Sequence, residues 1–143
     1  MSYLSIILAL LSAVAASFVA IFGKIGLKDL DSNTATAIRS IVMAIFLIAV
    51  IAVQGKSGHI GPILRDHKAV LFIVLSGIAG ATSWLFYFWA IKLGKVSQIA
   101  PIDKLSVVFA TVMAILILGE HVSLKAGIGV VVMVIGSILI ALG

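Results

Sequence analysis

The chain has 143 residues, of which 63% are hydrophobic and only 10% are charged. A soluble globular domain is about half apolar and about a quarter charged, so this composition excludes such a domain and indicates an integral membrane protein. The absence of cysteine excludes disulfides, thiolate metal sites and cysteine nucleophiles. The net charge of +5 does not indicate nucleic-acid binding, because the basic residues stand singly between apolar runs.

Five apolar stretches are each long enough to cross a membrane, which takes about 20 helical residues. In lipid the backbone must satisfy its own hydrogen bonds, and the stretches lack the alternation of barrel strands. We therefore predict an all-α membrane protein with five transmembrane helices in a single domain over residues 1–143. The predicted spans cover residues 4–22, 34–53, 69–91, 96–118 and 124–142.

The connections between the spans are predicted to be short. Residues 92–95 and 119–123 are expected to form tight turns, and residues 24–33 end in three candidate helix N-caps, Asp31, Ser32 and Asn33. The longest connection, residues 54–68, contains three glycines and Pro62, a composition that predicts irregular structure.

The basic residues of the connections are balanced between the two sides of the membrane. Four lie on the side of the N-terminus (56, 65, 68 and 125) and four on the other side (24, 28, 92 and 95). Either one loop dominates the orientation, or the same chain inserts both ways, because the positive-inside rule gives almost no signal here. Insertion both ways would permit an antiparallel homodimer with ten spans, the inverted-repeat arrangement of many secondary transporters.

The fourth span contains a proline followed by two charges, Pro101, Asp103 and Lys104. Pro101 cannot donate a hydrogen bond to the carbonyl of Ser97, so the helix is predicted to kink or break there. Charges inside a span are costly and usually face a partner or a wet cavity. Alternatively, Asp103 caps the second half of the helix while Lys104 extends to the headgroups.

Depth predicts a cluster around these charges. At 1.5 Å per residue, Asp103 and Lys104 lie about 10 Å from one membrane face, and Arg39 lies about 8 Å from the same face. Trp84 and Tyr87 of the third span fall in the same layer, although an interfacial belt or core packing would also explain these aromatic residues. We predict that the five residues form one cluster in which Arg39 and Asp103 are paired.

Ser97, Thr111 and Glu120 are three further positions of the predicted site. Ser97, Lys104 and Thr111 recur every seven residues, which predicts a polar stripe lining a cavity. The cluster carries one net positive charge, which favours a substrate with a carboxylate or phosphate group. Glu120 is either a loop carboxylate in the turn before the fifth helix or a proton-coupling or gating group. The histidines lack metal-ligand spacing, and no catalytic or cofactor motif is present.

The run GKVSQIAPIDKLSVV at residues 94–108 resembles the fourth helix of single-repeat EamA-domain proteins of the drug/metabolite transporter superfamily. Residues 17–24, 35–39, 118–120, 128–129 and 135–136 extend the resemblance over nearly the whole chain. The resemblance implies half of a secondary transporter that moves a small metabolite across the cell membrane by alternating access. Related small multidrug resistance proteins bind proton and drug at a glutamate in the first helix, but residues 4–22 contain no carboxylate.

Members of this family usually contain two such halves fused in inverted orientation. The resemblance therefore implies that two copies of the chain assemble, or that the chain pairs with an oppositely oriented paralogue, in contact with membrane lipid and a small-molecule substrate. Two alternatives stay open: a non-transporting subunit or assembly factor of a membrane complex, and a small lipid flippase. A membrane enzyme is least expected, because no catalytic constellation is present.

Overall fold

The computed structural model describes residues 2–143; Met1, with which the predicted domain begins, lies outside them. Within this range the chain folds into seven α-helices and one short 3-10 helix, without a β-strand. In chain order they are α1 (Tyr3–Gly26), α2 (Ser32–Val53), the 3-10 helix (Ser57–His59), α3 (Ile60–Arg65), α4 (His67–Leu93), α5 (Val96–Asp103), α6 (Ser106–Leu118) and α7 (Leu124–Leu142).

Five helical segments are long and apolar enough to cross a membrane: α1, α2, α4, the consecutive α5 and α6, and α7. They confirm the all-α prediction and its five spans. Nearly all of their large apolar side chains are exposed in the single chain. In water this surface would be strongly unfavourable, whereas lipid or another helix can cover it without cost to hydrogen bonding.

The chain divides into two compact units. The first contains α1 up to Lys24 together with residues 93–143. In it, α7 packs against α5 and α6, and Ala20 of α1 and Ser137 of α7 are buried. The Nζ atom of Lys24 donates a hydrogen bond to the carbonyl of Gly94 at 2.9 Å. This bond fixes the end of α1 to the turn before α5.

The second unit covers residues 25–92 and therefore contains α2, α3 and nearly all of α4. Its most deeply buried side chains are Phe88 and Ile91 near the end of α4. The Nζ atom of Lys92 donates to the carbonyl of Leu30 at 2.7 Å. The end of α4 is thereby fixed to the turn before α2.

Asp31 caps α2, as predicted for this connection. Its Oδ1 atom accepts hydrogen bonds from the backbone N–H of Thr34 at 2.8 Å and from the Thr34 hydroxyl at 2.7 Å. Both bonds favour the charged carboxylate, so they hold the pKa of Asp31 below its ordinary value, and nearby Lys92 adds a smaller effect in the same direction. The cap therefore satisfies a backbone donor that has no partner inside the helix.

The connection between α2 and α4 differs from its prediction. Residues 54–68 were predicted to be irregular, but they contain the 3-10 helix and α3. Pro62 is compatible with this structure because it lies in the first turn of α3, where a backbone N–H has no partner within the helix. Gly55, with φ of 67°, provides the left-handed residue that ends α2 and leaves the later residues free to be helical.

Candidate functional site

The candidate site in residues 25–92 centres on Arg39 of α2. Its Cζ atom lies 3.7 Å from the centroid of the Trp84 ring and 4.7 Å from that of Phe88. The two rings stack on each other with centroids 5.4 Å apart and an angle of 23° between their planes. They can do so because Trp84 and Phe88 are four residues apart, on the same face of α4.

Tyr87 completes the aromatic surface from the side. Its ring meets Trp84 edge-on at 6.1 Å and Phe88 at 5.7 Å. Phe88 is 2% exposed, whereas Trp84 and Tyr87 are half-buried. The aromatic cluster is therefore buried at Phe88 and accessible at Trp84 and Tyr87.

The rings stabilise the positive charge of Arg39 without neutralising it. Cation–π contacts of this kind contribute about 0.5–2 kcal/mol, depending on how far the pair is removed from water. Within residues 25–92 no carboxylate forms an ion pair with Arg39, and two of the three carboxylates there, Asp31 and Asp66, cap helices. A guanidinium stacked by its face still has N–H donors along its edge. It can therefore bind a carboxylate or phosphate through paired hydrogen bonds.

In the other unit the fourth span is interrupted between α5 and α6. The N–H of Lys104 bonds the carbonyls of Pro101 at 3.2 Å and Ala100 at 3.3 Å, and the N–H of Leu105 bonds Ile102 at 2.9 Å. Bonds to the third preceding residue mark a tight 3-10 turn, which separates the two half-helices.

The position of this interruption corrects the predicted break at Pro101, whereas a kink there, the other predicted outcome, stays a prediction. The helix continues through Pro101 to Asp103 and is interrupted at Lys104 and Leu105. A proline removes the one hydrogen bond that its own nitrogen would donate, here to Ser97 in the first turn of α5. The residues that follow can keep helical geometry for another turn, so the break lies at the charges.

Asp103 and Lys104 lie directly at the break. Asp103 Oδ2 is 3.5 Å from Lys104 Nζ, and the Lys104 side chain is 57% exposed. An exposed pair of neighbouring residues is weak, so the ammonium can still meet a substrate. Asp103 and Arg39 belong to different units, and their pairing and the common cluster stay predictions.

The other predicted site residues lie at separate places on α5, α6 and the connection that follows. Ser97 is exposed on α5, and the Thr111 hydroxyl of α6 donates to the carbonyl of Val107 at 2.8 Å. The helix is interrupted at Lys104 and Leu105, so Ser97 and Thr111 lie on two different helices, and the predicted polar stripe stays a prediction. Glu120 is exposed in the connection of residues 119–123, where its N–H bonds the carbonyl of Ala114 at 3.1 Å. A cavity shared by these residues and a coupling role for Glu120 stay predictions.

Phe88 is the residue that the sequence-based site did not include. It forms the second aromatic surface under the Arg39 guanidinium. Its position four residues after Trp84 is the signal that could have identified it, because residues at this spacing meet on a helix.

A family model described as the EamA-like transporter family matches residues 3–142 of this chain. The chain belongs to the EamA-like transporter family. It is 39% identical over 133 residues, 93% of each chain, to a Sinorhizobium protein named "Uncharacterized transporter in cobO 3'region". It is also 26% identical over 101 residues, 71% of each chain, to an uncharacterized protein of Methanocaldococcus jannaschii. No solved structure matches it.

Membership of the EamA-like family agrees with the resemblance seen at residues 94–108. Together with the five helices that can cross a membrane, it identifies the chain as a multi-pass membrane protein. It also supports a transporter rather than an enzyme.

Proposed function

We propose that this EamA-like chain is half of a secondary transporter that moves a small anionic or zwitterionic metabolite across the cell membrane by alternating access. The observation that carries the proposal is the Arg39 guanidinium stacked on Trp84 inside a predicted span. A charge at this depth is costly and marks a substrate or ion pathway in most membrane proteins. Its edge donors suit the carboxylate or phosphate of a metabolite.

The break between α5 and α6 supports alternating access. Transporters commonly bind substrate where a transmembrane helix is interrupted, because the released backbone groups and the half-helix ends can meet a charged ligand. Here the break carries Lys104, whose exposed ammonium supplies a second positive charge. We assign Arg39 and Lys104 to substrate contact and Asp103 to coupling or ion pairing.

The proposed assembly is an antiparallel pair of five-helix chains. The equal distribution of basic residues between the two sides supports two orientations of the chain. The Sinorhizobium relative, which is named a transporter, aligns with 93% of this chain and is itself covered to 93%, so it has a similar length. The second half would be another copy of this chain or an oppositely oriented paralogue.

Transport is tested in proteoliposomes that contain only this protein. Vesicles are loaded with a panel of small carboxylates and sugar phosphates, and the exchange of each radiolabelled compound is compared with that of its neutral amide or unphosphorylated analogue. We expect exchange of at least one anionic compound, and at least a tenfold loss with Arg39→Met or Lys104→Met. Lys28→Met removes a positive charge from a connection outside the spans and should leave exchange unchanged.

Equal exchange by the wild type and the Arg39→Met variant would contradict the proposed role of Arg39. Exchange of neutral analogues alone would contradict an anionic substrate. Absence of any exchange, by well-folded protein, would contradict a self-sufficient transporter and favour a subunit or assembly factor. Movement of a fluorescent lipid between leaflets without solute exchange would favour the flippase.

A further inference from the structure

The short helix between α2 and α4 is amphipathic. Ile60, Ile63 and Leu64 have the spacing of one helix face. Their exposed fractions are 45%, 46% and 64%, respectively. Arg65 falls on the opposite side of α3 by the helical period. A helix of this kind has one face suited to hydrocarbon and one suited to water or headgroups.

The position of the segment identifies what covers the apolar face. Residues 54–66 run from the end of α2 at Val53 to the start of α4 at His67, and both helices are candidate spans. A short segment between two spans lies at the boundary between hydrocarbon and water. Three exposed aliphatic side chains are favourable there when they lie just below the headgroups.

The segment and the first turn of α4 carry an excess of positive charge. Residues 54–68 contain three basic residues, Lys56, Arg65 and Lys68, and one acidic residue, Asp66. Asp66 is engaged at the start of α4, where its Oδ1 atom accepts from the N–H of Ala69 at 3.0 Å. With three basic residues and one acidic residue, the segment keeps a net positive charge.

Two of the four basic residues at the opposite ends of the helices are engaged within the protein. Lys24 and Lys92 donate hydrogen bonds to backbone carbonyls of the protein. Within residues 2–143 the side chains of Lys56, Arg65 and Lys68 form no hydrogen bond or ion pair, and all three are exposed. Their side chains are thus available to groups outside the chain.

We infer that residues 54–68 form a binding surface for anionic phospholipid, with Ile60, Ile63 and Leu64 at the acyl chains and Lys56, Arg65 and Lys68 at the lipid phosphates. A second copy of the same segment is a poorer occupant, because it would bring two sets of positive charges together. Anionic lipid satisfies both the charge and the apolar face. Lipid binding at this surface does not require that the chain transport a solute.

The test uses the full-length protein purified in a neutral detergent, with phosphatidylglycerol as the probe. Its thermal unfolding temperature is followed as the lipid is added, and phosphatidylcholine with the same acyl chains is the reference. We expect phosphatidylglycerol to raise the unfolding temperature more than phosphatidylcholine does. Glycerol phosphate, which has the phosphate but no acyl chains, should give no rise, because it cannot cover the apolar face.

Two variants that each remove two positive charges separate this surface from a general charge effect. Arg65→Gln with Lys68→Gln changes the proposed surface, and Lys28→Gln with Lys95→Gln changes the opposite side. A basic residue near an anionic lipid surface contributes about fivefold in affinity. The first variant should therefore need about 25-fold more phosphatidylglycerol for the same rise, and the second should match the wild type.

An equal loss in both variants would overturn the inference, since it would show a response to net charge alone. It would also be overturned if the Arg65 and Lys68 variant kept the wild-type response, or if glycerol phosphate reproduced the effect of the lipid. Unfolding of each variant in phosphatidylcholine verifies that it is folded before the comparison is made.

Discussion

At the scale of single residues, the chain places a permanent positive charge against aromatic rings within a predicted span. Lysine would bring the same charge but not the planar group, because only the guanidinium stacks on a ring while keeping donors along its edge. Arg39 and Trp84 therefore form a unit in which the ring positions the cation. The geometry depends on contacts across α2 and α4 and not on either residue alone.

Replacing Trp84 tests this unit. Trp84→Leu removes the ring under Arg39 and should lower the unfolding free energy by about 1 kcal/mol, with a parallel loss of substrate affinity if transport is observed. Trp84→Phe keeps a ring and should have a smaller effect. Trp89→Leu is the matched control, because Trp89 is 54% exposed on the same helix. An equal effect of Trp84→Leu and Trp89→Leu in thermal unfolding would contradict the assigned contact.

Asp31 gives a pH-dependent prediction at the same scale. Its lowered pKa means that its contribution to stability is present above the ordinary carboxyl value of 3.8 and is lost as the pH falls through the lower value in the folded protein. The effect should be small because the carboxylate is exposed. Asn is also a good N-cap but does not titrate. Asp31→Asn should therefore be nearly as stable as the wild type at neutral pH and lose less stability below about pH 4.

Unfolding temperatures measured between pH 3 and pH 7 check this prediction. Asp31→Ala serves as the comparison, because it removes the cap at every pH and should be less stable than Asp31→Asn at neutral pH. Identical acid profiles for the wild type and Asp31→Asn would show that the capping bonds do not favour the charged carboxylate.

At the scale of secondary-structure elements, the interruption between α5 and α6 is the main irregularity in the spans. Continuous helices satisfy their backbone in lipid, so a break is tolerated where protein or water can meet the released groups. The break coincides with Asp103 and Lys104, the charged side chains of the span. This coincidence favours a hinge or binding position over a packing defect.

Pro101→Ala tests whether the proline, three residues before the break, makes this part of the span easier to bend. The alanine restores an N–H that can bond the Ser97 carbonyl and removes the clash of the ring, a change that stabilises a helix interior by up to about 3 kcal/mol. We expect a higher unfolding temperature and slower exchange in proteoliposomes, because α5 and α6 become harder to bend. A raised unfolding temperature with unchanged exchange would show that bending at this position is not part of transport.

At the scale of the whole molecule, the exposed apolar surface of the single chain calls for lipid or neighbouring helices to cover it. Five spans place the two ends of the chain on opposite sides of the membrane. Two chains inserted in opposite directions would restore the inverted-repeat symmetry that alternating access uses. The absence of cysteine makes the orientation directly measurable.

Single cysteines at Ser57 and Leu30 report the two sides of the membrane. Labelling intact cells with a membrane-impermeant thiol reagent should modify part of each variant, and the remainder should react only after permeabilisation. This result is expected because the basic residues do not favour one orientation. Complete labelling at one position and none at the other would establish a single orientation, contradict the antiparallel homodimer and leave an oppositely oriented paralogue as the partner.

The sequence by itself determined the all-α class, the five spans and most of their boundaries. It could do so because hydrocarbon imposes length and apolar composition on any segment that crosses it, and these properties are local. Asp31 as a helix cap was also predictable, since the cap bonds residues only three positions away. The resemblance at residues 94–108 is likewise carried by a continuous run and agrees with the family match.

Only the tertiary structure decided which side chains meet. The contact of Arg39 with Trp84 and Phe88 joins residues 45 and 49 positions apart, and depth in the membrane cannot specify the rotation of two helices about their axes. The break at Lys104 and the helical structure of residues 57–65 rest on backbone hydrogen bonds to the third or fourth preceding residue. They are local features, but composition alone did not specify them. The sequence permits many pairs of side chains to meet. Packing decides which pairs form, because one arrangement of the helices must satisfy many contacts at once.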